Sequence, residues 1–321
     1  MTGPGPRSWG PLMIGCLAFG DRLDEGQVRR VVDAAIDEGV AVFDTADAYG
    51  AGASETVLGR AIAGRRDDVV IATKFGMTMH GGNGDESARS SPDYIRRAVE
   101  ASLRRLGVDH VDLYQWHTPD RVTPIADTIG AMTQLVDAGL VRSIGVSNLT
   151  GAELAEVLDE AASWGFATPV TVQNEYSLYN RSAEADLVPV CEERGVGLLP
   201  YFPLAAGLLS GTYRAGEAAA PGSRLAKFPS RLDKADWGLI ETLRSRAADL
   251  GIALPDLAIG YLASQPSVAS VVVGASTPEQ VRANARAART TLPQAELAAL
   301  AALPHVDSGH TTFATRKVAR S

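Results

Sequence analysis

The chain has 321 residues, 45% of them hydrophobic and 21% charged, with a net charge of −8. That suits a large globular core without disulfide staples, and the acidic balance excludes nucleic acid as a primary partner, because phosphate binding favours a basic surface. Cys16 and Cys191 form no C-x-x-C pair, and neither a signal peptide nor a run of about 18 apolar residues is present, so a soluble cytoplasmic protein is expected, with no membrane partner.

Short β-rich runs alternate with longer helical patterns. Residues 12–17 form a first apolar run. Residues 27–38 carry Val28, Val31, Val32, Ala35 and Ile36 at helical spacing, and Gly39 stops them. A strand at 41–43 ends at Asp44, and a helix is predicted over 54–62 with Ser54 as N-cap. A strand at 69–73 ends at Lys74. Ser91-Pro92 opens a helix to about residue 106, with proline at the favoured first position. A strand at 111–115 ends near His117. The alternation continues with helices at 123–138, 150–162 and 183–194 and strands at 141–146, 170–173 and 196–199. Residues 201–233 read as an irregular loop, long enough to be functional. Helices at 237–250 and 255–264, a strand at 269–273, and helices at 278–288 and 294–302 close the series.

Eight strand–helix pairs in one unbroken run predict an α/β chain folded as a single (β/α)₈ barrel domain, with residues 1–10 loosely held. No G-x-G-x-x-G follows a strand, and neither a phosphate-loop motif nor H-E-x-x-H occurs, so the sequence supports neither a Rossmann site nor a zinc protease.

Asp44, Tyr49, Lys74 and His117 all fall just beyond strands, at the rim where such barrels build active sites. An acid, a phenol, an ammonium and an imidazole together suit proton transfer. A free tyrosine has a pKa of about 10, too high for an efficient acid at neutral pH. A nearby ammonium lowers it, and an aspartate on the next strand keeps that ammonium charged. Tyr49 is then the general acid in reduction, with His117 orienting the carbonyl. Taken singly, each residue has a plainer reading: Asp44 as a cap, Lys74 as a solvated charge, Tyr49 as a turn residue and His117 as a loop histidine. Their joint placement favours the site. Lys74 as the nucleophile of a Schiff-base aldolase is an alternative, opposed by the Asp44 partner.

Several segments resemble the aldo-keto reductases. Phe43-Asp44-Thr45-Ala46-Asp47-Ala48-Tyr49-Gly50 is similar to the family's Asp-to-Tyr signature, Ala72-Thr73-Lys74-Phe75-Gly76 to its lysine strand, and Asp112-Leu113-Tyr114-Gln115-Trp116-His117 to its histidine strand. Ile144-Gly145-Val146-Ser147-Asn148, Val172-Gln173-Asn174-Glu175-Tyr176 and Val273-Gly274-Ala275-Ser276-Thr277-Pro278-Glu279-Gln280 resemble three further motifs, so the likeness runs over about residues 11–303. The resemblance implies a metal-free carbonyl reductase using NADPH, with NADH less favoured. It assigns Ser147, Asn148 and Gln173 to the nicotinamide carboxamide and Tyr201 to the ring face. Leu204, Gly207 and Leu208 go to the pyrophosphate, and Gly274, Ser276, Gln280 and Asn284 to the adenosine end. Gly15, Cys16 and Asp44 border the nearby ribose. Phe19, Trp116 and the loop at 210–233 are expected to shape the substrate pocket. Cys16 stands where threonine is frequent, Phe202 where serine is frequent, and Ser276 where many relatives carry Arg or Lys for the 2′-phosphate, although Arg282 is near. Ion-channel β subunits also resemble the family, so a nicotinamide-sensing regulatory subunit is the second reading. The substrate (sugar nucleotide, aldose, pyridoxal or another small carbonyl) and the oligomeric state stay open.

Overall fold

The computed structural model describes residues 9–77, 88–219, 225–227 and 229–306. The expectation for the first ten residues falls mostly outside that range, as does part of the expected pocket loop at 220–224 and 228. In chain order the elements are β1 (Leu12–Gly15), α1 (Glu25–Asp37), β2 (Val42–Asp44), α2 (Ala53–Ala61), β3 (Val70–Phe75), α3 (Pro92–Leu106), β4 (Val111–Trp116), α4 (Ile125–Asp137), β5 (Val141–Ser147) and α5 (Gly151–Trp164). There follow β6 (Thr171–Glu175), α6 (Ala183–Arg194), β7 (Gly197–Tyr201), α7 (Pro229–Asp233), α8 (Trp237–Asp249), α9 (Leu254–Ala263), β8 (Val271–Gly274), α10 (Pro278–Ala288) and α11 (Gln294–Ala301).

All strand pairs are parallel, in the order β7-β6-β5-β4-β3-β2-β1-β8. The ring closes between β7 and the run into β8, where the Leu198 amide donates to the Ser267 carbonyl at 2.8 Å and the Ala269 amide to the Leu198 carbonyl at 2.9 Å. The expected (β/α)₈ barrel is the observed fold.

The period of two along each strand decides what fills the barrel. Met13, Val42, Ala72, Leu113, Leu199 and Val272 form a small inner cluster. Their neighbours Ile14, Phe43, Ile71, Tyr114, Leu198 and Val273 pack in the larger layer shared with the helices. Two residues further along each strand is the next inner layer, towards the C-terminal mouth. It contains Gly15, Asp44, Lys74, Gln115, Tyr201 and Gly274. Parallel pairing of Gly15 with Asp44, Lys74 with Gln115 and Gly15 with Gly274 sets these positions side by side.

The helices follow local rules. Asp24 caps α1 in a capping box with Gln27, and Thr150 caps α5 in one with Glu153. Pro92 starts α3, Ile95, Val99, Ser102 and Leu106 bury one stripe of it, and Gly107 ends it at φ 67°. Gly59 lets α2 lie against the end of α3: a Cβ there would sit 2.2 Å from the Leu106 carbonyl oxygen. Gly59→Ala is therefore expected to cost about 1–3 kcal/mol by overpacking, read as a lower urea midpoint; an unchanged midpoint would mean the two helices can separate freely.

Three local expectations are corrected. Gly52, at φ 91°, is the N-cap of α2, while Ser54 lies inside the helix. The buried Ser54 hydroxyl donates to the Cys16 carbonyl at 2.8 Å and shares a hydrogen bond with Thr45 Oγ1, tying the ends of β1 and β2 to α2. Lys74 lies within β3 and does not follow it, because ladder pairing runs on through Phe75. The stretch beyond Tyr201 contains 3₁₀ turns at Ala205–Ser210 and Leu225–Lys227 as well as α7. No helix among the described residues is long and apolar enough to cross a membrane.

Candidate active site

Asp44 ends β2, and Tyr49 opens a 3₁₀ turn, Tyr49–Gly52, that bends the chain back into α2. Lys74 comes from β3 next door, and His117 follows the last residue of β4, its amide donating to the Phe75 carbonyl at 2.8 Å. The four residues predicted from the sequence are thus brought together. Lys74 is fully buried. Its ammonium donates to Asp44 Oδ2 at 2.6 Å, to the Thr45 carbonyl at 2.9 Å and towards Tyr49 Oη at 3.4 Å, which accounts for its three protons. Asp44 Oδ1 accepts from Gln115 Nε2 and Gln173 Nε2, both at 3.0 Å. The Tyr49 and His117 rings meet edge to face, with centroids 6.0 Å apart.

Burial pulls the Lys74 pKa down, but the Asp44 carboxylate, ahead of the Tyr49 phenol, leaves it above the ordinary lysine value. Lys74 is therefore an ammonium throughout the physiological range. Burial, and then the Lys74 charge, push the His117 imidazole well below the ordinary histidine value, so it stays neutral. His117 Nδ1 is buried without a hydrogen-bond partner among the described residues. Behind Tyr49, burial and then the Glu55 carboxylate raise the Asp47 carboxyl to about 7, against the pull of Arg105.

Asp47 makes stability pH-dependent. Unfolded aspartate loses its proton near pH 3.9, whereas folded Asp47 keeps its proton until about pH 7. Between these values the folded state binds the extra proton, so its contribution to stability falls as pH rises, at about 1.4 kcal/mol per pH unit at most. Asp47→Asn removes this dependence. Its urea midpoint is expected to gain on the wild type between pH 5 and pH 8, and a constant offset between the two proteins would contradict the assignment.

The mouth holds a cavity of about 550 Å³, reaching from Tyr49 and His117 round to Ser276 and Gln280. Of the residues expected around a dinucleotide, Gly15, Asp44, Ser147, Asn148, Gln173, Tyr201, Leu204, Gly207, Gly274, Ser276 and Gln280 line it. Cys16, Leu208 and Asn284 do not. Cys16 and Leu208 are buried in the apolar core, and Asn284 reaches back to the Gly274 carbonyl at 3.4 Å. Lys74 lies beneath the wall. Phe19 and Trp116, expected in the substrate pocket, are absent from the lining. Phe19 is fully buried and anchors the β1–α1 loop, and Trp116 turns away to donate to Ser90 Oγ at 2.9 Å. Leu17, Ala18, Arg22, Met77 and Phe202 line the cavity without having been assigned to the site from the sequence, apart from the loop position of Phe202.

One wall is a connected set of polar side chains. Ser147 Oγ donates to the Gln173 carbonyl at 2.6 Å, and Asn148 Nδ2 donates to the His117 carbonyl at 2.9 Å and to Ser147 Oγ at 3.0 Å. Tyr201 Oη donates to Asn148 Oδ1 at 2.8 Å, which holds that ring upright against the cavity. Asn148 sits at φ 60°, a left-handed conformation that asparagine tolerates better than most residues. At the other end Thr277 caps α10, its hydroxyl accepting from the Gln280 amide at 3.3 Å, and the Ser276 amide donates to Gln280 Oε1 at 2.8 Å beside the cavity rim.

Residues 11–304 match the family model described as the Aldo/keto reductase family. The chain is 33% identical over 282 residues, 84% of either chain, to a protein of Oryza sativa subsp. japonica described as a probable voltage-gated potassium channel subunit beta. It is 35% identical over 290 residues, 88% of either chain, to an uncharacterized oxidoreductase of Bacillus subtilis. It is also 38% identical over 206 residues to a probable aldo-keto reductase of Glycine max, covering 62% of this chain and 57% of that one.

Proposed function

Because the chain belongs to the aldo/keto reductase family, we propose that it is an NADPH-dependent oxidoreductase that reduces an aldehyde or ketone to an alcohol, with Tyr49 as the proton donor. Family membership and the relative named as an oxidoreductase support oxidoreduction in general. The observation that carries the finer reading is Tyr49 Oη standing 3.4 Å from a fully buried Lys74 ammonium, on the wall of a cavity large enough for a dinucleotide.

The residues present fit the cofactor. Tyr201 offers a flat face, and Ser147, Asn148 and Gln173 offer the hydroxyl and amide groups that a carboxamide needs. Leu204 and Gly207 flank the middle of the cavity. Gly274, Ser276 and Gln280 stand beside the α10 N-terminus, whose positive dipole end favours phosphate. Gly15 and Asp44 border the space for the ribose between. Cys16, Leu208 and Asn284 support these residues from behind. NADPH is preferred to NADH on the family pattern, with Ser276 in the 2′-phosphate position.

When bound, the reduced nicotinamide supplies the hydride to the carbonyl carbon. The Tyr49 hydroxyl gives its proton to the carbonyl oxygen, and the resulting phenolate is stabilised by the Lys74 ammonium. Asp44 keeps Lys74 charged and fixed. Neutral His117 donates a hydrogen bond to the carbonyl oxygen and orients it against Tyr49. Solvent then restores the tyrosine proton. The same reading takes the chain as one domain acting in the cytoplasm on a small carbonyl compound.

The rice relative favours a second reading, a nicotinamide-sensing subunit of a larger assembly. A Schiff-base aldolase is disfavoured, since the Asp44 contact at 2.6 Å keeps the Lys74 amine protonated and unable to attack. Purified protein mixed with NADPH and a panel of aldehydes and ketones should consume the cofactor, followed by its absorbance. Retained NADPH with no turnover on any carbonyl, together with co-purification of a channel protein, would favour the second reading.

A further inference from the structure

We infer that Asp47 is a positioning residue for the reduction: as a neutral acid it leaves the Lys74 ammonium acting on Tyr49, and as an anion it offsets that ammonium and weakens the proton donor. The inference rests on the reductase reading and adds an internal control on its proton transfer.

The placement of charges behind the tetrad carries it. Asp47 lies three residues beyond β2, and its amide donates to the Lys74 carbonyl at 3.1 Å. The residue is 1% exposed, and neither carboxyl oxygen has a hydrogen-bond partner among the described residues. The charged groups that act on it are Glu55 from α2, Arg105 from α3 and Lys74 from β3. Both cations are committed elsewhere. Lys74 spends its three protons on Asp44, Thr45 and Tyr49. Arg105 donates through Nε to Glu55 Oε2 at 2.7 Å and through Nη2 to Ser102 Oγ at 3.3 Å. Gly52 ends the turn that begins at Tyr49 and lies against the Arg105 side chain, where a Cβ would come within 2.6 Å of Cδ. Glu55 Oε1 accepts from Thr73 Oγ1 at 2.6 Å, so both Glu55 oxygens are served. Asp47 is the carboxyl left over. The Tyr114 hydroxyl on β4 is orphaned in the same way and feels Asp47 more than any other charge.

A buried anion without a partner costs far more than a buried neutral acid. Asp47 therefore keeps its proton well above the ordinary carboxylate range, in agreement with its rise to about 7. The Arg105 side chain, 24% exposed, carries the cluster to the surface, where that proton exchanges with water. Once Asp47 is charged, its field opposes the phenolate that forms as Tyr49 gives up a proton, and it offsets part of the Lys74 charge. Reduction then slows as pH rises through 7, although Asp47 touches neither substrate nor cofactor. His117 is already neutral there and adds no step of its own.

The test is the single-turnover rate of an uncharged aldehyde from the panel above, on preformed NADPH complexes, between pH 5.5 and pH 8.5. The ratio of wild type to Asp47→Asn removes every titration the two proteins share. It should fall by about three- to tenfold across the range, since a tenfold change in phenol acidity passes only in part to the rate. Glu55→Gln leaves Asp47 itself intact but removes the carboxylate that raises it, and should move the wild-type step to lower pH. In the protein without cofactor, tyrosinate absorbance, corrected with Tyr49→Phe, should appear at lower pH in Asp47→Asn than in the wild type. A ratio flat with pH, a step that stays in place in Glu55→Gln, or a Tyr49 titration indifferent to Asp47→Asn would each overturn the inference and leave the reductase reading in place. Failure of the wild type to consume NADPH with any carbonyl of the panel would defeat both.

Discussion

Tyr49→Phe is expected to lower kcat by about 10²–10⁴-fold while NADPH still binds with near wild-type affinity. The substitution removes one oxygen atom. It keeps the ring that meets His117 edge to face at 6.0 Å and lies 5.1 Å from Lys74 Nζ. The shape of the wall is thus preserved, and only the proton source goes. His117 does not replace it, because burial and the Lys74 charge keep its imidazole neutral and a poor acid. Single-turnover rates on preformed NADPH complexes would separate the chemical step from binding. A variant that reduces aldehydes at the wild-type rate removes Tyr49 from the mechanism. One that loses cofactor binding in parallel makes it a binding residue.

Lys74→Met should destabilise the fold by about 3–5 kcal/mol, the usual cost of stranding one partner of a buried ion pair. Asp44 would keep its hydrogen bonds from Gln115 and Gln173, both at 3.0 Å, but lose the ammonium that neutralises it. Adding Asp44→Asn to Lys74→Met removes the stranded charge and should restore much of the stability, though not the activity. Urea unfolding of the wild type, of Lys74→Met and Asp44→Asn alone, and of the double variant checks this. A Lys74→Met protein as stable as the wild type would show that the pair is not sealed from water. The cycle also isolates the catalytic part of the pair, since a double variant that folds well but turns over slowly cannot owe its defect to unfolding.

The barrel was legible in the sequence because each of its units repeats one pattern: an apolar run, a rim residue and a helix with an amphipathic stripe. Helices that open on proline, such as α3 and α10, were placed at their observed starts, since proline fixes the first turn. Ser54 was misplaced because serine is a good cap in isolation, whereas here its hydroxyl serves the Cys16 carbonyl across the chain. Asp44 and His117 were readable from strand ends, whereas Tyr49 opens the turn beyond β2 and Lys74 lies just inside the end of β3. Gln115, which holds Asp44, was not singled out, although its position two residues after inward-facing Leu113 marks it as part of the same layer. Phe19 and Trp116 were assigned to the pocket for their aromatic character, but large aromatic rings on a tight loop and an outward strand position serve as core anchors. Arg22 left no signal of its own, because loop residues follow no periodicity and only the fold shows which of them face the cavity.

The most direct test of the account is the structure of the protein crystallised with NADP⁺. The nicotinamide ring should lie against Tyr201, its carboxamide within hydrogen-bonding reach of Asn148 and Gln173, and its reactive carbon beside the Tyr49 hydroxyl. A dinucleotide bound outside the barrel mouth, or one whose nicotinamide points away from Tyr49 and Lys74, would contradict it.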